Sequence, residues 1–306
     1  MLKKIIDVFE DYEDLRIDKF LAENLEDMSR SYIQSLIKDE KVLVNSSSCK
    51  AKYNVKCGDV IEIDIPELTE PEIVAENIPL DIVYEDSELI VVNKPKGMVV
   101  HPAAGHLSGT LVNALMYHCK DDLSGINGVL RPGIVHRIDM NTTGLLLVCK
   151  NDNSHNFIAE QLKEHSITRK YHAIVRGCLK NDDYTINKPI GRSKSDRKKM
   201  AVVTDGKHAV THVKVLSRTD KFSYIECELE TGRTHQIRVH MASLGYPILG
   251  DNIYGNNKDD LKFEGQTLHA KILGFIHPKT KAYLEFDSEL PQYFKELISK
   301  YGLTFR

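Results

Sequence analysis

The sequence has no long apolar run, no closely paired cysteines and little net charge. A membrane-spanning helix needs about 20 consecutive apolar residues, and no stretch of this 306-residue chain approaches that length. Its first residues turn acidic at Asp7, without the apolar stretch of a secretory signal. The six cysteines are scattered with no CxxC pattern, so we expect reduced thiols in a cytoplasmic protein.

The common cofactor signatures are also missing. The chain contains no GxxxxGKS or GxxxxGKT, no GxGxxG after a strand, no HExxH and no GxSxG, which argues against the usual phosphate-loop, dinucleotide, zinc-protease and hydrolase sites. His235 and His240 are five residues apart and so do not share a helix face. We therefore predict an activity that uses no cofactor and no metal ion.

A net charge of −3 conceals an uneven distribution. Residues 1–70 contain 10 Lys and Arg against 16 Asp and Glu, whereas residues 191–240 contain 11 against 6. A nearly neutral total is therefore compatible with a polyanionic partner, because the basic side chains are gathered locally.

The chain divides in the acidic segment 66–71, which begins and ends with proline and suits neither a strand nor a core. This predicts a small domain over residues 1–70 and a larger one over residues 71–306. The small domain shows two helical apolar patterns, with Ser29 as a candidate N-cap of the second. Short strands follow, the last one over residues 60–65.

The larger domain mixes strands and helices irregularly. Residues 144–150 form an apolar run typical of a strand buried on both faces, and residues 169–176 alternate as a second strand. A helix is predicted over residues 234–244, capped by Thr234 at its start. Because helices do not separate the strands regularly, we predict an α+β fold with a mixed, largely antiparallel sheet, and not a doubly wound parallel one.

Three polar segments interrupt these elements and contain candidate functional residues. Asp139 lies between basic residues in the segment 133–144, Tyr171 lies in a strand, and Arg233 follows a glycine turn. Taken singly, each has an ordinary structural explanation: an ion pair for Asp139, core packing for Tyr171 and a structural ion pair for Arg233.

Together, these segments resemble the RluA-type RNA pseudouridine synthases. HRIDMNTTG is similar to the family's HRLDxxTSG motif, and KYHAIVRG to its KxYxAxVxG strand. TGRTHQIRVHMASLGYPILGD is similar to TGRxHQIRxHxxxxGxPIxGD, and shorter matches occur at NKPKG, LHA and HP. The N-terminal segments LRIDKFLAE, SRSYIQSLI and VLVN resemble an S4 domain.

The resemblance implies a role for each candidate. Asp139 would be the catalytic carboxylate, Arg233 its ion-pair partner, and Tyr171 the residue that packs against the flipped base. RNA-binding roles are implied for loop, S4 and basic-segment residues, namely Arg137, which would fill the gap left by the uridine, and His136, Arg30, Lys38, Arg192, Lys194, Arg197 and Lys198.

The expected activity is isomerisation of uridine to pseudouridine in large-subunit ribosomal RNA by a monomer. Three alternatives remain at this point: a pseudouridine synthase that acts on tRNA, a non-catalytic RNA-binding assembly factor, and a glycoside hydrolase. The hydrolase requires a second carboxylate beside Asp139, which the matched motifs do not supply.

Overall fold

The computed structural model describes the chain apart from short gaps, over residues 2–25, 28–65, 73–103, 105–120, 122–126, 128, 131–196, 199–255, 261 and 264–304. Two compact units are present, Met1–Glu70 and Pro71–Arg306. Among the helices in these ranges, none has the length and apolar character needed to cross a bilayer.

The first unit pairs two helices with a four-stranded antiparallel sheet of order β1-β4-β2-β3. Its elements are β1 (Leu2–Asp7), α1 (Ile17–Asn24), α2 (Arg30–Lys38), β2 (Val42–Val44), β3 (Ser47–Ser48) and β4 (Val60–Ile65). Apolar helix residues such as Phe20 and Ile33 pack against Ile61 and Ile63 of β4 in one core. The Ser29 hydroxyl accepts a hydrogen bond from the Tyr32 amide, which confirms the predicted N-cap of α2.

The second unit contains a nine-stranded sheet of order β5-β6-β7-β14-β8-β13-β12-β9, with β15 paired to β14. Its strands are β5 (Ile82–Glu85), β6 (Leu89–Lys94), β7 (Thr143–Cys149), β8 (Thr168–Arg176), β9 (Asp183–Asn187), β12 (Val210–Arg218), β13 (Phe222–Leu229), β14 (Leu268–Ile276) and β15 (Tyr283–Asp287). Only β7 and β14 pair in parallel within the described sheet. The α+β prediction with a mixed, largely antiparallel sheet is confirmed.

A separate two-stranded ribbon and four helices complete this unit. The ribbon joins β10 (Ile190–Arg192) and β11 (Met200–Val202), and the helices are α3 (Leu111–Cys119), α4 (Asp152–Lys163), α5 (Gln236–Ser243) and α6 (Gln292–Lys300). The predicted helix over 234–244 is real but shorter, and its predicted cap is wrong. His235 occupies the N-cap with a left-handed φ of 57° and no capping side chain, while the Thr234 hydroxyl accepts a bond from Arg137.

Strand β7 fixes the segment that precedes it because it is buried on both faces. Leu146 and Val148 belong to one hydrophobic cluster, and Leu145 and Leu147 to another on the opposite face. Gly144 has a φ of +106°, and a Cβ there would overlap the backbone of Ala270 on β14. The loop that contains Asp139 therefore ends on a strand with little freedom to shift.

Candidate active site

A cavity of about 600 Å³ opens in the second unit beside the loop before β7, the end of β13 and the start of α5. Basic side chains dominate its lining: His101, Arg131, His136, Arg137, Lys163, His165, Arg169, Arg233, His235 and Arg238. Asp139 is the one carboxylate among the described lining residues. The arginine and lysine side chains therefore suit the cavity to an anionic ligand. Asp139 is the one acidic group that they surround among the described residues.

Asp139 is held by Arg238 of helix α5. Nη1 of Arg238 donates to Oδ2 of Asp139 at 2.9 Å. The other side of the same guanidinium binds Asp251 twice, from Nε to Oδ2 at 2.7 Å and from Nη2 to Oδ1 at 2.9 Å. A buried bidentate pair thus fixes the arginine, which in turn fixes one oxygen of Asp139.

Burial differs sharply within this trio. The Arg238 side chain is 4% exposed and that of Asp251 is fully buried, whereas the Asp139 side chain is 24% exposed. Burial works against charge on both deeper groups, but their mutual hydrogen bonds raise the pKa of Arg238 and lower that of Asp251. Both therefore stay charged, and Asp139 is the most exposed of the three side chains.

His235 and Tyr254 complete the surroundings of the carboxylate. Nε2 of His235 lies 3.8 Å from Oδ1 of Asp139, and its Nδ1 is 2.8 Å from the Tyr254 hydroxyl. Burial lowers the pKa of His235, although Asp139 acts in the opposite direction. Left-handed backbone at a non-glycine residue stores strain, and here it places the ring beside the Asp139 carboxylate.

Tyr171 lies on β8, in the hydrophobic cluster that borders the cavity. It is 8% exposed and sits between Cys227 of β13 and Ala270 of β14 in the sheet register. Burial raises the pKa of its hydroxyl, so the ring is an uncharged aromatic surface at neutral pH. Asp139 and Tyr171, both predicted from the sequence, therefore meet at one cavity.

The predicted pairing of Arg233 with Asp139 is wrong. Nε of Arg233 instead donates to the backbone oxygen of His208 at 2.9 Å, although the side chain still lines the cavity. The reason lies in Gln236, whose Oε1 accepts the Arg233 amide and the Thr231 hydroxyl and so fixes the turn. Helix α5 then starts, and its first turn directs Arg238 to Asp139.

The two residues just before Asp139 have different environments. Arg137 is exposed, and its Nη2 donates to the Thr234 hydroxyl at 2.9 Å. Nε2 of His136 instead accepts the Leu147 amide, and burial, with a contribution from Arg169, lowers its pKa to about 3. The neutral His136 ring therefore ties this loop to β7, and its RNA contact stays a prediction.

The structure describes two of the four basic residues that the sequence predicts as RNA contacts in the segment after β10 begins. Arg192 ends β10, and Lys194 is exposed with its Nζ 3.9 Å from Asp205. Arg197 and Lys198 lie outside the described residues. Their proposed phosphate contacts stay predictions.

In the first unit, Arg30 is engaged by a carboxylate. Its Nη2 lies 3.0 and 3.1 Å from the two oxygens of Asp18. Arg16 and Gln34 bind the same carboxylate. Lys38 is exposed at the end of α2. Lys38 is therefore the more accessible of the two predicted contacts.

Sequence reasoning missed Arg238 and Asp251, although both fall within the quoted segment that begins TGRTHQIR. The available signal was the predicted helix, since an arginine inside a buried helix needs an acidic partner. In the described ranges, no group of three or more His, Cys, Asp or Glu side chains is arranged to hold a metal ion.

Comparison with known proteins identifies the family. Residues 88–243 match the family model described as RNA pseudouridylate synthase, and residues 15–61 match the S4 domain. An uncharacterized RNA pseudouridine synthase of Bacillus subtilis is 55% identical over 289 residues, which cover 94% of this chain and 95% of that protein.

Two further proteins extend the likeness. The ribosomal large subunit pseudouridine synthase D of Zymomonas mobilis is 47% identical, with 90% of each chain covered. The solved structure of human RNA Pseudouridylate Synthase Domain Containing 1 aligns with a TM-score of 0.57 at 26% identity, over 75% of this chain and 97% of that one. The chain therefore belongs to the RNA pseudouridine synthase family, and its first unit contains an S4 domain.

Proposed function

We propose that this enzyme converts uridines of large-subunit ribosomal RNA to pseudouridine, with Asp139 as the catalytic carboxylate and Arg238 as its positioning residue. The main support is one observation. Asp139, the one carboxylate among the described residues that line a basic cavity, is held at 2.9 Å by an arginine that Asp251 anchors from behind.

The reaction needs one ionised carboxylate at the sugar. The bond between N1 of uracil and C1′ breaks, the base turns, and C5 joins C1′. Asp139 acts at the ribose, either by attack on C1′ or by removal of a C2′ proton, and both routes require the charged form. Arg238 fixes the direction of the carboxylate through its hydrogen bond to Oδ2.

The base must leave its stack to reach this carboxylate. Tyr171 offers the base an apolar, uncharged ring at the cavity. Arg137 is exposed beside Thr234, and we assign it to the position that the base vacates in the RNA. Arg233 has no role in holding Asp139 in this arrangement, and we assign it to RNA contact at the cavity wall.

The ribosomal target is supported by relatives. Proteins named ribosomal large subunit pseudouridine synthase D from Zymomonas mobilis, Pseudomonas aeruginosa and Neisseria meningitidis are 41–47% identical over most of this chain. An S4 domain precedes the catalytic unit. A cytoplasmic location follows from a ribosomal substrate, and the predicted monomer is tested by light scattering during gel filtration.

Mapping pseudouridines in RNA from a deletion strain tests the target. Large-subunit positions should lose the modification and regain it with the wild-type gene, but not with Asp139→Asn. Loss confined to tRNA would replace the proposed substrate. No loss in any RNA would contradict the assignment of this enzyme to ribosomal RNA.

Contacts from the S4 domain are expected to add affinity and not rate. Lys38 of this domain is exposed, and we propose that it contacts the RNA backbone. We propose the same contact for Arg192 and Lys194 of the second unit, which lie at the end of β10 and in the segment between β10 and β11.

Deletion of residues 1–70 should weaken binding to large-subunit RNA about tenfold to a hundredfold by loss of tethering. Turnover of a short stem-loop should persist, and an equal loss on both RNAs would contradict this assignment.

A further inference from the structure

The cavity is lined by a second buried arginine, Arg169, which forms no ion pair with any residue that the structure describes. It is 7% exposed and lines the cavity. Its Nη2 donates to the backbone oxygen of Glu230 at 3.0 Å, while its Nε is buried without a hydrogen-bond partner. Within the described ranges no carboxylate pairs with it, in contrast to Arg238 with its two acids.

Arg169 shares a strand face with Tyr171. The two residues are two positions apart on β8, and both point toward the cavity, whereas Lys170 between them points away and pairs with Glu226 and Glu228. Gly232 borders the same guanidinium, and a Cβ there would lie 2.9 Å from Nη1 of Arg169. The absence of that side chain leaves Nη1 open.

Burying a guanidinium without a counter-charge is costly. The protein retains this one at the wall where the aromatic ring receives the base. We propose that Arg169 contacts the uracil ring of the bound nucleotide and stabilises the negative charge that the ring acquires when it is detached from the ribose.

The charge arises in a defined step. When the C1′–N1 bond breaks, its electron pair leaves with N1 and is delocalised over O2 and O4 of uracil. C1′ becomes electron-poor and is met by Asp139 on the sugar side. The pair is used again when C5 bonds to C1′, and any bond between Asp139 and C1′ then breaks with its electrons returning to the carboxylate. The C5 proton departs to a base and N1 takes up a proton, so the uridine is isomerised with no net gain or loss of atoms. A fixed guanidinium near the ring lowers the energy of the detached anion without reorganisation.

A backbone phosphate of the RNA is a less suitable ligand for Arg169 than the uracil ring. Arg131, Arg137 and Lys163 are exposed on the same cavity and are accessible to the RNA backbone, whereas Arg169 lies on the inward strand face with Tyr171. The inference rests on pseudouridine synthase chemistry and not on the ribosomal target, so it is tested on any transcript that the wild-type enzyme modifies. If the wild type modifies none, the proposed function fails first.

The experiment compares single-turnover disappearance of the target nucleoside in a uridine transcript and in the same transcript with 5-fluorouridine. Fluorine withdraws electrons and stabilises the detached base by itself. Arg169→Gln should lower the rate on uridine by about 10²-fold, as loss of one stabilising donor does elsewhere. The defect on 5-fluorouridine should shrink to about tenfold or less, since this base depends less on the guanidinium.

Matched variants separate charge from structure. Arg169→Lys keeps the charge and should recover most of the rate, while Gly232→Ala keeps the arginine but displaces Nη1 and should give an intermediate defect. Lys170→Gln removes a neighbouring cation on the opposite face and should match the wild type. Circular dichroism and thermal unfolding verify that each variant is folded.

Three results would overturn the proposal. The first is a normal rate for Arg169→Gln. The second is an equal defect on both transcripts, which would indicate that Arg169 only positions Tyr171 or the nearby turn. The third is a loss confined to RNA affinity with the salt slope reduced by about 0.7, as removal of one phosphate contact in single-stranded RNA predicts.

Discussion

In each of the two units an aspartate forms an ion pair with arginine. The aspartate is the buried member of the pair in the first unit, and the arginine is the buried member in the second. In the first unit the Asp18 side chain is fully buried, while Arg16 and Arg30 are 48% and 49% exposed. In the second unit the arginine, Arg238, is 4% exposed, and Asp139 is the open member. The same residue types therefore form a buried ion cluster in one case and leave a carboxylate partly exposed at a cavity in the other.

The two sites differ in which charged group has all its hydrogen bonds made within the protein: the aspartate in the first unit and the arginine in the second. Asp18 is saturated by three side chains, Arg16 just before α1 and Arg30 and Gln34 of α2, so no bonding capacity remains for a substrate. Asp251 forms the bidentate pair with Arg238. The remaining bond from Arg238 to Asp139 uses only one of that carboxylate's two oxygens. A buried cation that an inner acid already balances can hold a second acid at the surface of a cavity.

Asp139→Asn should have the largest effect on activity and little effect on stability. The carboxylate is essential to the proposed chemistry, so single-turnover pseudouridine formation should fall by at least about 10⁴-fold. Arg238 keeps Asp251 as its counter-charge, so the thermal midpoint and the RNA dissociation constant should stay close to wild type. Activity within tenfold of wild type would refute the catalytic assignment.

Asp251→Asn should damage both stability and rate. It leaves the buried Arg238 with only the surface acid, and breaking such a pair typically costs about 3–5 kcal/mol of unfolding free energy. The rate should fall by about 10²-fold because the arginine loses its anchor and Asp139 loses its fixed direction. Urea unfolding and single-turnover kinetics measure the two effects.

A matched variant preserves the test if Asp251→Asn does not fold. Asp251→Glu retains the counter-charge and should keep most of the stability while still misplacing Asp139. Full activity in either variant would show that Asp139 needs no anchored arginine.

Asp18→Asn should affect stability alone, and only above acidic pH. Burial opposes the charge, but hydrogen bonds from Arg30, Gln34 and Arg16 lower the pKa of Asp18 to about 2. A carboxylate with a depressed pKa stabilises the fold above its unfolded pKa near 4, and this contribution is lost as pH falls toward 2.

The wild-type advantage over Asp18→Asn should therefore be about 2 kcal/mol at neutral pH and should vanish near pH 2. Hydrogen exchange of α1 and α2 in the full chain measures it locally. Turnover of a short stem-loop should be unchanged. A loss of that turnover would contradict the structural role given to this cluster.

The sequence was informative where function depends on a short motif next to a distinctive element. The buried strand β7 and the alternating strand β8 were predicted, and they place Asp139 and Tyr171 at the cavity. The pairing of β7 with β14 joins residues 143–144 to residues 269–270 across the chain, and no local pattern encodes that separation. Strands β9 to β12, β14 and β15 were not predicted from the sequence.

The error at Arg233 has a local cause. Two arginines lie five residues apart in one motif, and which of them faces Asp139 depends on where α5 begins. A left-handed His235 delays the helix start to Gln236, and a positive φ at a histidine is not readable from the sequence. The predicted start at Thr234 and the predicted partner were consequently wrong together.

The most direct test of this account compares Arg238→Gln with Arg233→Gln at saturating RNA. If Arg238 holds the catalytic carboxylate, its variant should lose about 10²-fold or more in single-turnover rate, with RNA affinity nearly unchanged. Arg233→Gln should keep its rate within about threefold and weaken binding instead, with a smaller salt slope. A normal rate for Arg238→Gln together with a large loss for Arg233→Gln would contradict the arrangement described above.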